Sequence, residues 1–227
     1  MKCNFYLINE YIITPINIKI IPMQQFNYLI IDAAIAEGNI NAAIALNKNY
    51  RCLLKGKSEE ELESVAPYLF AINKQIIDFP NWFFGVGFNK NWGILALSNA
   101  GFEDMYNHFR KHIIVVNDDK QEVFFRFYDP AVLRMFLPSA DVQQLRAFFG
   151  PVSTFIVEDE DEGFVLKFTL FNEQLQTTKI TKEEFFENIK KENESDVAEK
   201  MLQSNGQEDI KSTEVKPNFG WNFIRKN

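Results

Sequence analysis

The amino-acid sequence predicts a mixed α/β protein in which a central mixed β-sheet is flanked by helices, with a small C-terminal lobe or tail. As far as Gly150, short apolar runs alternate with helix-like patterns, which is the order expected for such a fold. Residues 122–151 join an aromatic strand to two helices bounded by proline and glycine. From about residue 181 onward the sequence is charged and contains Ser and Asn, which is typical of a peripheral segment.

The bulk composition limits the classes of function. A chain of 227 residues with 46% hydrophobic residues and 23 phenylalanines can bury one substantial, phenylalanine-rich core. Its formal net charge of -7 argues against a nucleic-acid-binding surface, which normally shows a clustered basic footprint. Two cysteines, Cys3 and Cys52, are too few for a disulfide framework and fit a reducing compartment. No apolar run is long enough to span a bilayer and no signal peptide is recognisable, so a cytoplasmic location is expected.

Composition divides the chain into four segments. Residues 1–22 are predicted to be an N-terminal extension, and residues 23–157 to form the main α/β domain. Residues 158–203 are predicted to form a small C-terminal lobe of a strand and a helix, and residues 204–227 a flexible tail with an aromatic end.

The first predicted element is an apolar strand at residues 26–31 that ends at Asp32 and precedes an alanine-rich helix interrupted at Gly38. An aspartate at a strand end is a catalytic candidate in some α/β enzymes, but a cap of the following helix is the favoured interpretation. A second strand is predicted at 51–55, followed by a helix with a capping box at Ser58. Pro67 is predicted to end that helix and to begin an extended segment.

Residues 79–91 are predicted to be a loop, because they combine a proline and two glycines with several aromatic residues. The Gly-x-Gly in it lacks the third glycine, the Lys-Ser or Lys-Thr and the helix of a phosphate-binding loop, so no nucleotide cofactor is expected. The loop is predicted to cover the edge of the core or to form an exposed contact patch. Its candidate partner-contact aromatics are Trp82, Phe83 and Phe84.

A buried strand is predicted at 92–97, followed by a helix capped by Ser98 or Asn99. His108 and His112 are four residues apart on that helix and would face the same side. No cysteine lies nearby and no Glu follows His108 as in HExxH, so no metal site is expected.

Residues 113–116 are predicted to form a β-hairpin with the aromatic strand 122–128. Successive side chains of a strand point to opposite faces, and this strand has aromatic side chains on both, so both faces should be covered. Asp129 is predicted to cap a helix that has Pro130 in its first position. That helix is expected to stop before Pro138.

A second helix follows the Pro138 segment, with Ser139 or Asp141 as its cap and Val142, Leu145, Phe148 and Phe149 on its inner face. Gly150 is predicted to end it. Strands are predicted at 153–157 and 163–170, joined by the acids 158–162 as a solvated turn rather than a calcium loop. A helix is predicted at 182–202, and Phe219 and Trp221 in the tail are further candidate partner contacts.

Several segments carry a family resemblance over roughly residues 27–157. They are LIIDAA at 29–34, RCLLKG at 51–56, ELESVAPYLF at 61–70, WGILALS at 92–98, the helix that contains His108 and His112, FRFYDPAVLRMFLP at 125–138 and LRAFFGPV at 145–152. In this order and spacing the chain resembles the type VI secretion effector-adaptor (chaperone) domain, a bacterial family long catalogued as a domain of unknown function. The family-motif residues are Trp92, Arg126, Tyr128, Asp129, Pro130 and Arg134, with structural or partner-binding roles.

The resemblance implies a cytoplasmic bacterial adaptor that binds a toxic effector and passes it to the spike protein of the secretion tube. It implies no catalysis. From the motifs, charge and hydropathy described above, no cofactor, metal, nucleic-acid partner or membrane insertion is expected. Two other hypotheses stay open at this point. One is a small hydrolase or nucleotide-dependent enzyme that uses Asp32, Asp129 and a histidine, and the other is an immunity protein that binds a toxin directly.

Overall fold

A computed structural model describes residues 27–54, 64–73, 78–117 and 119–189. The chain divides into two compact units, 1–193 and 194–227, and the second lies outside the described residues. A seven-stranded sheet runs through the first unit in the order β2-β3-β1-β4-β7-β8-β9, and β5 and β6 form a separate hairpin. The strands are β1 (Tyr28–Asp32), β2 (Tyr50–Cys52), β3 (Pro67–Ala71), β4 (Gly93–Ser98), β5 (Ile114–Val116), β6 (Glu122–Phe124), β7 (Val152–Glu158), β8 (Phe164–Phe171) and β9 (Gln174–Thr181).

The helices cover both faces of the sheet, which confirms the predicted fold class. They are α1 (Ala33–Ala36), α2 (Ile40–Leu46), α3 (Asp78–Trp82), a π-helical turn (Phe83–Gly87), α4 (Phe102–Arg110), α5 (Pro130–Ser139), α6 (Val142–Phe149) and α7 (182–189). The sheet is antiparallel in every described strand pair, so the prediction of a mixed sheet was wrong on this point. β1 and β2 run in the same direction without being neighbours, and so do β3 and β4, so the helical segments between these strands cross from one end of the sheet to the other.

Two cores lie on opposite faces of the sheet because side chains alternate along each strand. Leu29 and Ile31 of β1 point to a core that is shared with α1, α2 and the π-helical turn. Ile30 points to the other core, which is shared with α4, α5 and α6. Among the described residues, nine phenylalanines with almost no exposed surface fill these cores, as the composition predicts, and each contributes about 1.5–3 kcal/mol of burial free energy.

The helix caps agree with the sequence at three places and differ at one. Asp32 caps α1 and Asp129 caps α5 through their side chains. Asp141 forms a capping box with Gln144 at the start of α6. The prediction of a Ser98 or Asn99 cap on α4 was wrong, since the cap residue of that helix has no side-chain bond and the Ser98 hydroxyl instead donates to the Pro151 carbonyl at 2.7 Å.

Three further predictions of local structure were wrong. α5 continues through Pro138, which costs little because the proline lies in the final turn and removes a single amide donor. Residues 79–91 contain α3 and a π-helical turn rather than a loop, closed by a bond from the Phe88 amide to the Phe83 carbonyl at 2.8 Å. Val142 is exposed instead of facing inward.

The aromatic strand is shorter than predicted. β6 ends at Phe124, and residues 127–129 form a turn in which the Asp129 amide donates to the Arg126 carbonyl at 3.0 Å. This turn delivers Phe127 and Tyr128 into the core, but Phe124 is left 61% exposed. The expectation that both faces of this strand are covered was therefore wrong.

The C-terminal strands extend the main sheet. β8 pairs with β7, and β9, which the sequence pattern did not predict, pairs with β8, so both belong to the sheet rather than to a separate lobe. The described part of the predicted 182–202 helix buries Phe185 and Ile189 against the first core. The proposed extension 1–22, the Ser58 capping box and residues 190–227 lie outside the described residues. Within the described ranges, no helix has the length and apolar character needed to cross a membrane.

Candidate functional site

Polar residues gather at one end of the central sheet. Because neighbouring strands are antiparallel, the ends of β1, β7 and β9 meet the beginnings of β4 and β8 at the same edge. Asp32 ends β1 and Glu158 ends β7, and both side chains are buried. Burying a carboxyl group without a hydrogen-bond partner costs free energy, so the partners of Asp32 and Glu158 indicate whether these groups are structural or free to react.

Asp32 is held by contacts on both of its carboxylate oxygens. Its Oδ1 accepts from the Ala34 amide at 3.0 Å, and its Oδ2 accepts from Arg126 Nη2 at 2.6 Å. The Asp32 residue is 1% exposed, whereas the Arg126 side chain is 43% exposed. The short distance and the charge on both partners make this a strong hydrogen bond that ties β1 to the turn after β6.

Asp129 completes the group around Arg126. Its Oδ1 caps α5 by accepting from the Ala131 amide at 2.9 Å, and its Oδ2 lies 3.6 Å from Arg126 Nη2. Arg126 thus lies between two carboxylates that each also cap a helix. We call Asp32, Arg126 and Asp129 the arginine clamp. Its geometry fixes the starts of α1 and α5 relative to each other.

Two further motif residues lie beside the clamp. Burial, followed by the negative charge of Asp32, raises the pKa of Tyr128 to about 12, although Arg126 acts in the opposite direction. The Tyr128 hydroxyl therefore stays protonated at neutral pH. Pro130 occupies the first turn of α5, as its fixed φ predicts, and its side chain is buried.

The remaining motif residues anchor neighbouring parts of the same edge. Trp92 is buried, its carbonyl accepts from the Asp32 amide at 2.8 Å, and its ring lies 5.8 Å from that of Trp82. Arg134 of α5 donates through Nη1 to the Glu158 carbonyl at 2.6 Å. Nε of Arg134 and Oε1 of Glu158 are buried without a hydrogen-bond partner among the described residues.

Glu158 is the residue that the sequence interpretation placed wrongly. It was expected in a solvated acidic turn, but it is 3% exposed, and burial raises the pKa of its carboxyl to about 7. The backbone amides of Asn91 and Asn89, and then the charges of Lys182 and Arg134, oppose this shift. The groups around this carboxyl come from segments distant in sequence, among them Asn89, Asn91 and Arg134, so no local pattern could have indicated its burial.

Replacing Glu158 by glutamine should flatten the dependence of stability on pH between about pH 4.5 and pH 7. The folded-state pKa lies above the ordinary value of 4.5, so the folded chain holds this proton more tightly than the unfolded chain does. The contribution of Glu158 is therefore fully present below pH 4.5 and is lost as the pH rises through about 7. Urea unfolding at several pH values measures this, and wild-type and Glu158→Gln curves that run parallel would contradict it.

The other acids of the 158–162 run are exposed or partly exposed, as predicted, and two of them pair with one lysine. Lys179 Nζ lies 2.9 Å from Asp159 Oδ2 and 4.0 Å from Asp161 Oδ2. Among the residues that the structure describes, no group of three or more His, Cys, Asp or Glu side chains is arranged to hold a metal ion.

The two histidines pack against α6. His108 Nε2 is 2.8 Å from the Phe148 carbonyl, and the two imidazole rings are 4.8 Å apart. Burial lowers the pKa of both rings, that of His112 to about 4 with a further contribution from His108. Both rings are therefore neutral at neutral pH.

The candidate partner-contact aromatics of α3 and the π-helical turn lie over the edge of the first core. Phe83 is buried, and Trp82 and Phe84 are half-buried. Phe84 packs edge-to-face against Phe88 and Phe186 with ring centroids 5.1 and 5.3 Å apart. The sequence allowed this segment either to cover the edge of the core or to form an exposed contact patch, and these contacts match the first of the two. Phe219 and Trp221 lie outside the described residues.

Comparison with known proteins identifies one family. A family model described as a domain of unknown function, DUF4123, matches residues 27–147, which is more than half of the chain and includes the whole arginine clamp. No curated protein and no solved structure matches the chain.

Proposed function

The chain belongs to the DUF4123 family of domains of unknown function, and we propose that it is a non-catalytic adaptor that loads a toxic effector onto the spike protein of a bacterial type VI secretion system. The proposal rests first on the resemblance described above, whose most specific parts are FRFYDP with the following Leu-x-x-Phe-Leu-Pro and the closing FFGP. As such an adaptor the protein would act in the bacterial cytoplasm, as a chaperone with two protein partners.

One observation carries the proposal: Asp32, Asp129 and His108, which the enzyme hypothesis names, are already committed to internal contacts. Both carboxylate oxygens of Asp32 are bonded, and Asp129 caps α5. His108 contacts the Phe148 carbonyl. A general base must reach the proton that it removes, and Asp32 is nearly without exposed surface. These contacts favour a structural role for the motif and so support a binding protein over a hydrolase.

The direct test is reconstitution with the proteins encoded beside this chain. We expect a tagged chain to form a stable complex with a neighbouring effector, and the effector complex to bind the C-terminal part of the spike protein in size-exclusion chromatography. Deleting the gene should abolish secretion of the effector without harming the producing cell. Death of the producing cell would instead indicate an immunity protein, and failure to bind either partner would contradict the adaptor.

Asp129→Asn separates the adaptor from the enzyme. Asparagine is as good a helix cap as aspartate, so the variant removes the carboxylate and should still begin α5 normally. Effector secretion is expected to be unchanged. Loss of toxin delivery by a variant that still folds and binds its effector would favour a catalytic role.

A further inference from the structure

The strand β9 forms one edge of the seven-stranded sheet. All of its residues pair with β8 on one side, and no described strand pairs with its other side. The Lys182 amide donates to the Gly163 carbonyl at 2.9 Å, directly across the same ladder, so the even-numbered residues of β9 bond to β8. The residues whose backbone N–H and C=O groups point away from the sheet are therefore Leu175, Thr177, Lys179 and Thr181.

This edge lacks the features that usually keep a strand edge from pairing. Natural sheets protect an edge by making it very short, by a proline or a bulge, or by an outward-pointing charge. β9 is eight residues long, contains no proline and pairs with β8 in one unbroken register. Its one charged side chain, Lys179, turns back across β8, with Nζ 2.9 Å from Asp159 Oδ2 and 4.3 Å from the Phe164 ring centroid. The outer edge of β9 is therefore open to a further strand.

An exposed aromatic side chain lies beside the same edge. Phe171 is 66% exposed and lies opposite Gln174, the first residue of β9. Strand alternation places both on the face of the sheet that carries the first core, to which Val165 and the half-buried Ile180 belong. An apolar side chain brought next to Gln174 from outside the sheet would therefore come close to Phe171.

The order of side chains along β9 fits a second copy of the same strand. A twofold axis perpendicular to the sheet makes two identical strands antiparallel and places one residue opposite itself. With Thr177 on the axis, the two Lys179 residues are four positions apart along the ladder. With Thr178 on the axis, the two lysines become diagonal neighbours, and Gln174 meets the start of α7 instead of a strand residue. Charge and geometry therefore both favour Thr177.

We propose that the protein forms a reversible twofold dimer in which two β9 strands pair antiparallel about Thr177 and join the sheets of two copies into one. Thr177 then lies opposite Thr177 of the second copy, and Leu175 of each copy lies opposite Lys179 of the other. Each of these three pairs exchanges two main-chain hydrogen bonds, about six in all. Threonine pairs are favourable across strands, and no like charges lie directly opposite each other. The contact does not depend on the proposed adaptor function.

The size of the contact predicts a weak dimer. An eight-residue strand is about 27 Å long and a sheet is about 10 Å thick, so the edge presents on the order of 270 Å². Phe171 adds to this area, because Ile180 of the second copy lies opposite Gln174 and therefore beside the exposed ring. A stable pair buries about 800 Å² on each partner, and smaller contacts are typical of transient association. We expect a dissociation constant on the order of 100 μM.

Sedimentation equilibrium of the full-length chain, at concentrations on both sides of about 100 μM, measures the dimer. The average mass of wild type should rise from monomer toward dimer across this range. Thr177→Glu places like charges directly opposite each other on the axis and should weaken the dimer about fivefold, and Thr177→Lys should do the same. An equimolar mixture of the two variants should associate at least as tightly as wild type, because unlike charges then meet. Circular dichroism checks that each variant is folded.

Thr178→Glu is the matched control. It introduces the same charge one residue away, on the other face of the sheet, where it lies opposite Lys167 of its own chain and Gln176 of the second copy. This variant should keep the dissociation constant within about twofold of wild type.

Four results would overturn the proposal. Wild type that stays monomeric at every concentration would exclude the dimer. Equal responses to Thr177→Glu and Thr178→Glu, or a larger response to Thr178→Glu, would exclude the pairing about Thr177. Failure of the mixed Thr177 variants to recover association would do the same. A dimer that neither substitution weakens would assign the contact to another surface.

Discussion

Replacing Gly93 by alanine is expected to prevent stable folding. Gly93 lies in β4 directly opposite Ile31 of β1, in the middle of the sheet. An added Cβ would lie 1.9 Å from the Ile30 carbonyl oxygen and 3.0 Å from the Ile31 Cα. Both are backbone atoms of a central strand, so relief requires separating β1 from β4. We expect a loss of more than about 4 kcal/mol, a large part of the stability of an ordinary domain.

The matched control is Gly85→Ala in the π-helical turn. A Cβ there meets no heavy atom within 4 Å, and alanine is a better helix former than glycine. This variant should keep the wild-type thermal midpoint or raise it slightly. Circular dichroism and thermal melts of the two variants measure the difference. A Gly93→Ala protein that melts within a few degrees of wild type would contradict this, since it would mean that β1 and β4 can accommodate the added Cβ.

The local parts of the fold could be predicted from the sequence because their causes are local. Asp129 lies next to the proline that begins α5, so this cap is readable from the local sequence. For α6 the sequence allowed Ser139 or Asp141, and the structure has Asp141 as the cap. The strand runs of β1, β4 and β7 are short and apolar, as buried strands are. Their existence could be predicted, but whether neighbours ran parallel or antiparallel could not.

The candidate site could be predicted only in part, because its contacts join distant segments. Arg126 and Asp32 are 94 positions apart, and no pattern in either segment indicates their bond. Asp32 was correctly interpreted as a cap, but its partner was not foreseen. β9 is mostly polar because it lies at the edge of the sheet, which removes the hydrophobic alternation that would have revealed it.

Removing the charge of Asp32 should destabilise the protein without changing its shape. Asp32→Asn keeps the size of the side chain and an oxygen that can still accept from the Ala34 amide. The substitution replaces Oδ2 by an amide nitrogen that faces Arg126 and cannot accept from it. The charge-assisted hydrogen bond between the two residues is therefore lost at a position with almost no exposed surface. We expect a loss of about 2–3 kcal/mol, less than the roughly 3–5 kcal/mol for breaking a fully buried pair, because Arg126 can turn to water.

A double-mutant cycle with Arg126→Met assigns this loss to the clamp. If the bond is responsible, Asp32→Asn should cost much less in the Arg126→Met background than in wild type, because the partner is already absent. Asp129→Asn is the comparison, since its oxygen lies 3.6 Å from Arg126 and its cap survives the substitution, so its cost should stay below about 1 kcal/mol. Equal losses of stability from Asp32→Asn in both backgrounds would show that the bond to Arg126 is not responsible. An Asp32→Asn protein that keeps wild-type stability but fails in its cellular role would instead make Asp32 a candidate catalytic residue again.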